Sequence, residues 1–364
     1  MAKLKEIAAR AGVSVTTVSR ILNYDEKLNV QDQTRKRVFE AADALEYRKT
    51  PKKKRKPRLR IGVLCSYSAE EELEDTYYLS LRLAVEKEIA EEGHKKISIP
   101  RELLSEKAKD TDGLVCIGTF VQSDAEQVRR MKKPAVFVDA AGDRAETDSI
   151  VVDFAFSVQQ ALDHLTGYGH TRIAFIGGVD RDADGRRIED LRETIFRSYM
   201  KSRGLLREDY IRLDHYTPKS GYQLAGELLR EAETDRPTAV LAANDSIAVG
   251  VYRAAQELGL RIPQDLSVIG FNDVSISKYL APPLTTIHVY QEFMGMRAVQ
   301  LLIDRVTTGR DISMHVAVST KLVIRESTAV LKEKAGGSRK AESDGVSACS
   351  GMSGNIAAGD RQTD

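Results

Sequence analysis

Tryptophan is absent from this sequence, and its 364 residues include only 3 cysteines and 6 histidines. Cys65, Cys116 and Cys349 have no metal-ligand spacing; the first two lie in the apolar runs IGVLC and GLVCI and read as small core residues. So few cysteines exclude a disulfide scaffold and point to a reducing compartment. No run approaches the ~18 apolar residues of a membrane helix. The patterns GxGxxG, GxSxG, HExxH and GxxxxGK(S/T) are all missing, so the commonest nucleotide, hydrolase and zinc-peptidase chemistries have no anchor. His164 and His170 flank a glycine turn rather than forming a metal pair. No enzymatic activity, metal or cofactor is expected. The opening MAKLKEIAAR is charged from its third residue and lacks the apolar core of a secretory signal, which predicts a cytoplasmic protein.

Charge is nearly balanced overall, with 55 Lys+Arg against 54 Asp+Glu, but it is not evenly spread. Residues 1–60 hold 17 basic against 7 acidic side chains, a net of +10, which leaves −9 for the rest. A basic head on an acidic body points to a polyanion that binds the head alone. The length implies two or three domains with sizeable cores.

Residues 1–48 read as three short helices. Leu4, Ile7, Ala8 and Ala11 follow helical spacing, and Gly12 ends the first helix. Ser14 is placed to cap a second, with Val15, Val18 and Leu22 inward and Thr16, Thr17, Arg20 and Asn23 outward. A third begins near Asp32, with Val38, Ala41, Ala42 and Leu45 inward. Residues 49–60 form a basic hinge linker, since TPKKKRKPRLR carries two prolines and seven Lys or Arg. From residue 61, β-branched runs (IGVLC, GLVCI, AVFVD, SIVV, RIAFIGG, AVLAA, LSVIGF) alternate with helical periods near 79–91, 156–166, 189–203, 220–231, 245–258 and 292–306. Such alternation predicts an α/β fold of parallel βαβ units, and about seven strands suit two doubly wound subdomains side by side. Residues 329–364, rich in Gly, Ser and charge, are expected to be a disordered tail.

The segment LKEIAARAGVSVTTVSRILN is a helix, a short turn containing glycine, and a second helix with hydroxyls, a guanidinium and an amide on its exposed face. Arg20 and Asn23 can reach base edges, whereas Ser14, Thr16 and Ser19 suit phosphates. A solvated helix face is the alternative; the turn glycine, the capping serine and the +10 charge weigh against it.

These residues resemble the LacI/GalR family of bacterial transcriptional repressors. Leu4, Glu6, Ile7, Ala8, Ala11, Gly12, Val13, Ser14, Thr17, Val18, Ser19 and Arg20 fall on its head motif, and the resemblance continues through TRKRVFEAADALEY into the body. It implies a helix-turn-helix head over 1–48 and a periplasmic-binding-protein-like effector and dimerisation domain over 61–328. The two subdomains are then about 61–160 with 290–318, and about 161–289 with 319–328. A homodimer would read double-stranded palindromic operator DNA, with Lys5, Val15, Thr16, Thr17, Ser19, Arg20 and Asn23 on DNA-contacting positions. One departure concerns the hinge: most members have a helix whose leucine wedges into the minor groove. PKKKRKPRLR is shorter and proline-interrupted, which suits phosphate neutralisation, and Leu59 is the candidate wedge.

In open α/β folds ligands bind at strand C-terminal ends. Asn244 follows AVLAA and Asn272 follows LSVIGF in the same way, so both amides face a cleft, although Asn244 also reads as a plain N-cap. Arg192 can grip hydroxyls or be an ordinary surface charge; Tyr216 offers a ring; Tyr77 and Tyr78 reach in from the first subdomain or are core. The resemblance implies that Asn244, Asn272 and Arg192 hydrogen-bond a small sugar effector, that Tyr216 is its platform and that Tyr77 and Tyr78 line the cleft. CSYSAEEELEDTYYLSLR resembles repressors of β-galactosidase or galactan genes, which makes a β-galactoside or galacto-oligosaccharide the expected effector. A non-galactoside ligand, a corepressor or an activating role are the alternatives. A transport sugar-binding protein would share the body but lack the basic head.

Overall fold

The structure, a computed structural model, describes residues 3–23, 25, 28–45, 47, 57–68, 72, 75–140, 142, 144–181, 185–231 and 234–332. The chain divides into two compact units, residues 1–58 and 59–364.

The head holds α1 (Leu4–Ala11), α2 (Val15–Leu22) and α3 (Asp32–Ala44). Gly12 adopts a left-handed φ of +64°, which lets the chain stop α1 and turn. Ser14 Oγ then accepts the Thr17 amide at 3.1 Å, the expected N-cap. Ile7, Ala8, Ala11, Val18, Ile21, Val38, Ala41 and Ala42 form the small core. Ile21, not Val15, is the inward partner of Val18. Val15 is 38% exposed, because a side chain at the first helical position leans back past the helix end into solvent.

In the body, among the described residues, the strands are β1 (Arg60–Cys65), β2 (Lys95–Ile99), β3 (Gly113–Ile117), β4 (Ala135–Val138), β5 (Asp148–Val152), β6 (Ile173–Gly178), β7 (Ile211–Asp214), β8 (Ala239–Ala242), β9 (Ser267–Asn272), β10 (Thr285–His288), β11 (His315–Val318) and β12 (Lys321–Val323). The longer helices are α4 (Thr76–Glu91), α5 (Gln122–Arg130), α6 (Phe154–Gly167), α7 (Leu191–Ser202), α8 (Pro218–Leu229), α9 (Asp245–Glu257) and α10 (Gln291–Thr308). One sheet runs β2-β1-β3-β4-β5-β11, entirely parallel. The other runs β7-β6-β8-β9-β10-β12, parallel except for the antiparallel β12. The seven apolar runs of the sequence are β1, β3, β4, β5, β6, β8 and β9.

The chain crosses between the sheets three times, at residue 153, at 289–290 and at 319–320. The whole of α6 belongs to the second sheet, where it meets β8, β10 and β12, so the first crossing precedes the boundary expected near 160. Burial of Val158, Ala161, Leu162 and Leu165 on one helix face accounts for this.

Two expectations are corrected. Leu59 is buried in the body core and its amide donates to His94 Nδ1 at 3.2 Å, so it is not a free wedge; the linker residues 48–56 lie outside the described residues. The ordered body also runs past residue 328. His170 bonds the Ala329 carbonyl through Nε2 at 3.0 Å, and the Leu331 amide donates to the Tyr168 carbonyl at 2.8 Å. Of the expected tail, residues 333–364 and with them Cys349 lie outside the described residues.

Candidate functional site

On the head, Lys5, Ser14, Val15, Thr16 and Asn23 are exposed and Thr17, Ser19 and Arg20 half-buried. Not all are equally available. The Asn23 side-chain amide donates to the Ser19 carbonyl at 2.6 Å and caps the end of α2, and Ser14 and Thr17 hydroxyls bond each other at 2.8 Å. Arg20 Nε donates to Asp25 at 2.8 Å, which steadies the guanidinium on a side chain that stays 43% exposed. Asp25 carries no functional signal in the sequence.

In the body, each strand order reverses beside its first strand, at β1/β3 and at β6/β8, the place where doubly wound sheets open a crevice. Asp75 enters from the loop after β1, Thr119 after β3 and Asp139 directly after β4. From the second sheet come Asp180 after β6, Tyr216 after β7, Asn244 after β8 and Asn272 as the last residue of β9. Thr119 Oγ1 faces Asp180 at 3.4 Å, and Asn244 Nδ2 donates to Asp75 Oδ2 at 2.8 Å, so the two subdomains touch across the cleft.

Arg192 is the centre of the second-subdomain half. Its Nε donates to both Asp190 oxygens, at 2.9 and 3.1 Å, and its Nη1 to the Ala243 carbonyl at 2.6 Å. Phe154, Tyr216 and Phe271 surround the guanidinium with ring centroids at 5.5, 5.3 and 5.7 Å. Among the described residues Nη2 has no hydrogen-bond partner. Arg192 is therefore a half-buried, oriented donor rather than a surface charge. Burial opposes its charge, but Asp190 outweighs this and holds the guanidinium firmly protonated. Burial likewise raises Asp190, yet Arg192 brings it below the usual carboxylate range.

The Tyr216 hydroxyl donates to Asp190 at 3.0 Å, and its ring lies so close to Gly178 that a Cβ there would meet the ring at 2.4 Å. One face of the expected platform is thus already covered. Asn244 is both N-cap and bridge: Oδ1 accepts the Ile247 amide at 2.8 Å while Nδ2 serves Asp75 and the Tyr216 carbonyl. Tyr77 is buried and Tyr78 half-buried, stacked on Tyr67 at 4.6 Å; both hydroxyls approach Asp139. Asn272 is buried in a strained left-handed conformation, φ +101°, and its carbonyl accepts from Gln291 at the start of α10 at 3.0 Å. Asp273, also left-handed, is held by Arg325 at 2.5 Å and His288 at 2.9 Å.

Asp75, Asp139 and Asp190 were invisible as site residues in the sequence. Their signal is positional: Asp139 closes AVFVD, and Asp75 and Asp190 cap helices that begin at the cleft. Asp139 is the most exposed to consequence. Its Oδ1 is buried without a hydrogen-bond partner, and burial pushes its carboxyl up to about 6 despite the opposing charge of Arg192. Burial also raises Asp75. The cleft thus sets several carboxylate acceptors and one cationic donor among aromatic rings. No group of His, Cys, Asp and Glu able to hold a metal, and no helix long and apolar enough to cross a membrane, occurs among the described residues.

Comparison with known proteins agrees with this division. Residues 3–50 match the model for bacterial regulatory proteins of the lacI family, and residues 162–328 match a periplasmic binding protein-like domain. The chain is 34% identical over 330 residues to the HTH-type transcriptional regulator GalR of Lacticaseibacillus casei, covering 90% of this chain and 100% of that one. It is 36% identical over 332 residues to the HTH-type transcriptional regulator GanR of Bacillus subtilis (strain 168), covering 90% and 99%. Among solved structures, a complex of the transcriptional regulator CelR with cellobiose superposes with a TM-score of 0.65 at 25% identity, covering 90% of this chain and 100% of that one. The lac repressor dimer bound to operator and the anti-inducer ONPF does so with 0.64 at 26%, covering 90% and 99%. With its helix-turn-helix head, its paired parallel sheets and these relatives along nine-tenths of its length, the chain belongs to the lacI family of bacterial transcriptional regulators and is not an enzyme.

Proposed function

We propose that this regulator is a cytoplasmic homodimeric repressor of carbohydrate-utilisation genes, released from its operator by a small neutral sugar, a β-galactoside or galacto-oligosaccharide. The observation that carries the sugar reading is the unpaired buried oxygen of Asp139, a carboxylate that feels the charge of Arg192, together with the Arg192 Nη2, which has no hydrogen-bond partner among the described residues. A polyol supplies what that pair lacks, since each hydroxyl both donates and accepts. Asp75, Asp139 and Asp190, all within electrostatic reach of Arg192, disfavour an anionic ligand, which separates neutral sugars from sugar phosphates. The relatives named GalR, GanR and MelR, and a neighbour whose structure is a complex with cellobiose, support the class; the segment CSYSAEEELEDTYYLSLR supports the galactoside.

A ligand spanning both subdomains replaces direct bridges such as Asn244 to Asp75 and changes cleft closure. Because coupling free energy is shared, sugar and operator then weaken each other reciprocally. In the head, Arg20 reads a base, while Lys5, Ser14, Thr16, Thr17 and Ser19 hold the backbone, Val15 makes apolar contact and Asn23 mainly closes the helix. The test is operator binding at fixed salt with galactobiose, lactose, galactose and lactose 6-phosphate. Release by a neutral galactoside but not by the phosphate ester is expected. Specific binding with no response to any galactoside overturns the effector assignment and leaves the DNA reading intact.

A further inference from the structure

The first sheet is parallel throughout, so the stretches that enter its strands gather along one edge, opposite the effector cleft. The stretches entering β1 to β4, residues 58–60, 95–96, 106–112 and 129–134, hold ten Lys or Arg against three Asp or Glu. Even without Arg58 and Arg60 the stretches are net +5, which stands out because the residues beyond 60 are net −9 as a whole. A few of the cations are committed internally. Lys96 pairs with Glu86 at 2.8 Å, Arg129 with Glu146 at 3.9 Å, and Lys133 donates to the Thr111 carbonyl at 2.8 Å.

Arg60, Lys95, Lys107, Lys109, Arg130 and Lys132 form no ion pair among the described residues, and all but the half-buried Lys107 are exposed. Arg60, Lys95, Lys96, Ile97 and Lys107 line one depression in which Asp110 is the single acid. The corresponding edge of the second sheet behaves differently. There Arg207 pairs with Asp209 at 2.8 Å and Arg261 with Asp265 at 2.7 Å, so its arginines neutralise nearby acids. Such pairing is what an edge with no anionic partner is expected to show.

We propose that the strand-entry edge of the first sheet is a second DNA-contacting surface, engaging duplex phosphates outside the base pairs read by the head. Four strands at ~4.8 Å spacing spread the charges over about 15 Å, a length that suits a run of phosphates better than one small anion. The chain also reaches this edge directly from PKKKRKPR, so the duplex held by the head is the polyanion tethered nearest to it. The intervening 46–58 segment extends at most ~45 Å, which keeps the effective concentration of that DNA high.

The inference rests on the head reading DNA, and the test separates the two. An operator selected by the full chain from random-sequence duplexes is prepared in two lengths, one ending at the outer half-site base pairs and one extended by about 15 bp on each side. Binding is titrated against salt for the full chain and for its Lys95→Glu, Lys107→Glu, Lys132→Glu triple variant, with a thermal melt to confirm folding. The unaltered chain is expected to bind the long duplex more tightly and with a steeper salt slope, by roughly 0.9 for each added phosphate contact. A folded variant is expected to lose that gain yet bind the short duplex as before. A variant that keeps the gain, or an unaltered chain that shows none, overturns the edge alone. Failure of both proteins on the short duplex overturns the edge and the head reading together. A milder triple variant, with Gln in place of Glu, is expected to lose the gain partway and covers the case in which charge reversal disturbs folding.

Discussion

The two candidate sites of this molecule are built on opposite plans. The head displays its groups within a stretch of twenty residues, exposed and tied to one another by weak surface contacts such as Arg20 to Asp25. The cleft collects its groups from strand ends between Asp75 and Asn272, buries them, and satisfies most of them internally. DNA supplies charge and hydrogen-bond edges to a surface that is ready to be covered. A small ligand must instead replace bonds that the protein makes with itself, and this is how its presence reaches the fold.

The comparison breaks most readily at Arg192. Arg192→Ala leaves Asp190 buried without its cation and is expected to cost ~3–5 kcal/mol of stability, with loss of the sugar response. Operator affinity, measured below the variant's melting temperature, should not change; a parallel loss of DNA binding would show that the sites are not separable in this way. Arg20→Ala should do the reverse, costing ~1–3 kcal/mol of specific binding and relaxing discrimination at one base pair, with melting nearly unchanged because its ion pair is exposed. A binding-selection profile against calorimetric melting checks both halves.

Asp139→Asn sharpens the contrast because stability and function should move in opposite directions. With a folded pKa raised to about 6, Asp139 stabilises the fold at low pH, and that contribution is lost as pH rises from its unfolded value through 6. The amide variant escapes this loss and should be more stable than the parent by up to ~3 kcal/mol above pH 6, while binding sugar less well. Equal stabilities across the range from pH 4 to 8 would contradict the burial argument. The smallest effect is expected at Ser14→Ala, which removes the α2 cap at about 1 kcal/mol and should weaken operator binding without altering sugar affinity.

The head was almost fully legible because its periodicity, turn glycine and cap are local, and Val15 was misplaced only where a helix begins. The apolar runs of the body announced the central strands. They did not announce β2, β7, β10, β11 and β12, whose sequences KKISI, IRLD, TTIH, HVAV and KLV are short and half-polar because most lie at or near sheet edges. α5 was missed because QSDAEQVRR buries little beyond Ala125 and Val128. Asn244, Arg192 and Tyr216 were visible as residue types in plausible positions, but the carboxylates that orient them were not, since only packing shows which of many aspartates is buried.

The last two strands have a consequence for synthesis. β11 completes the first sheet beside β5, and after residues 319–320 β12 completes the second beside β10. Neither sheet can gain its final strand until nearly all the described chain has been made. The two subdomains are therefore expected to wait on the ribosome with β5 and β10 as open edges and to close together late, a vectorial order in which premature termination near residue 314 would leave both halves unfinished.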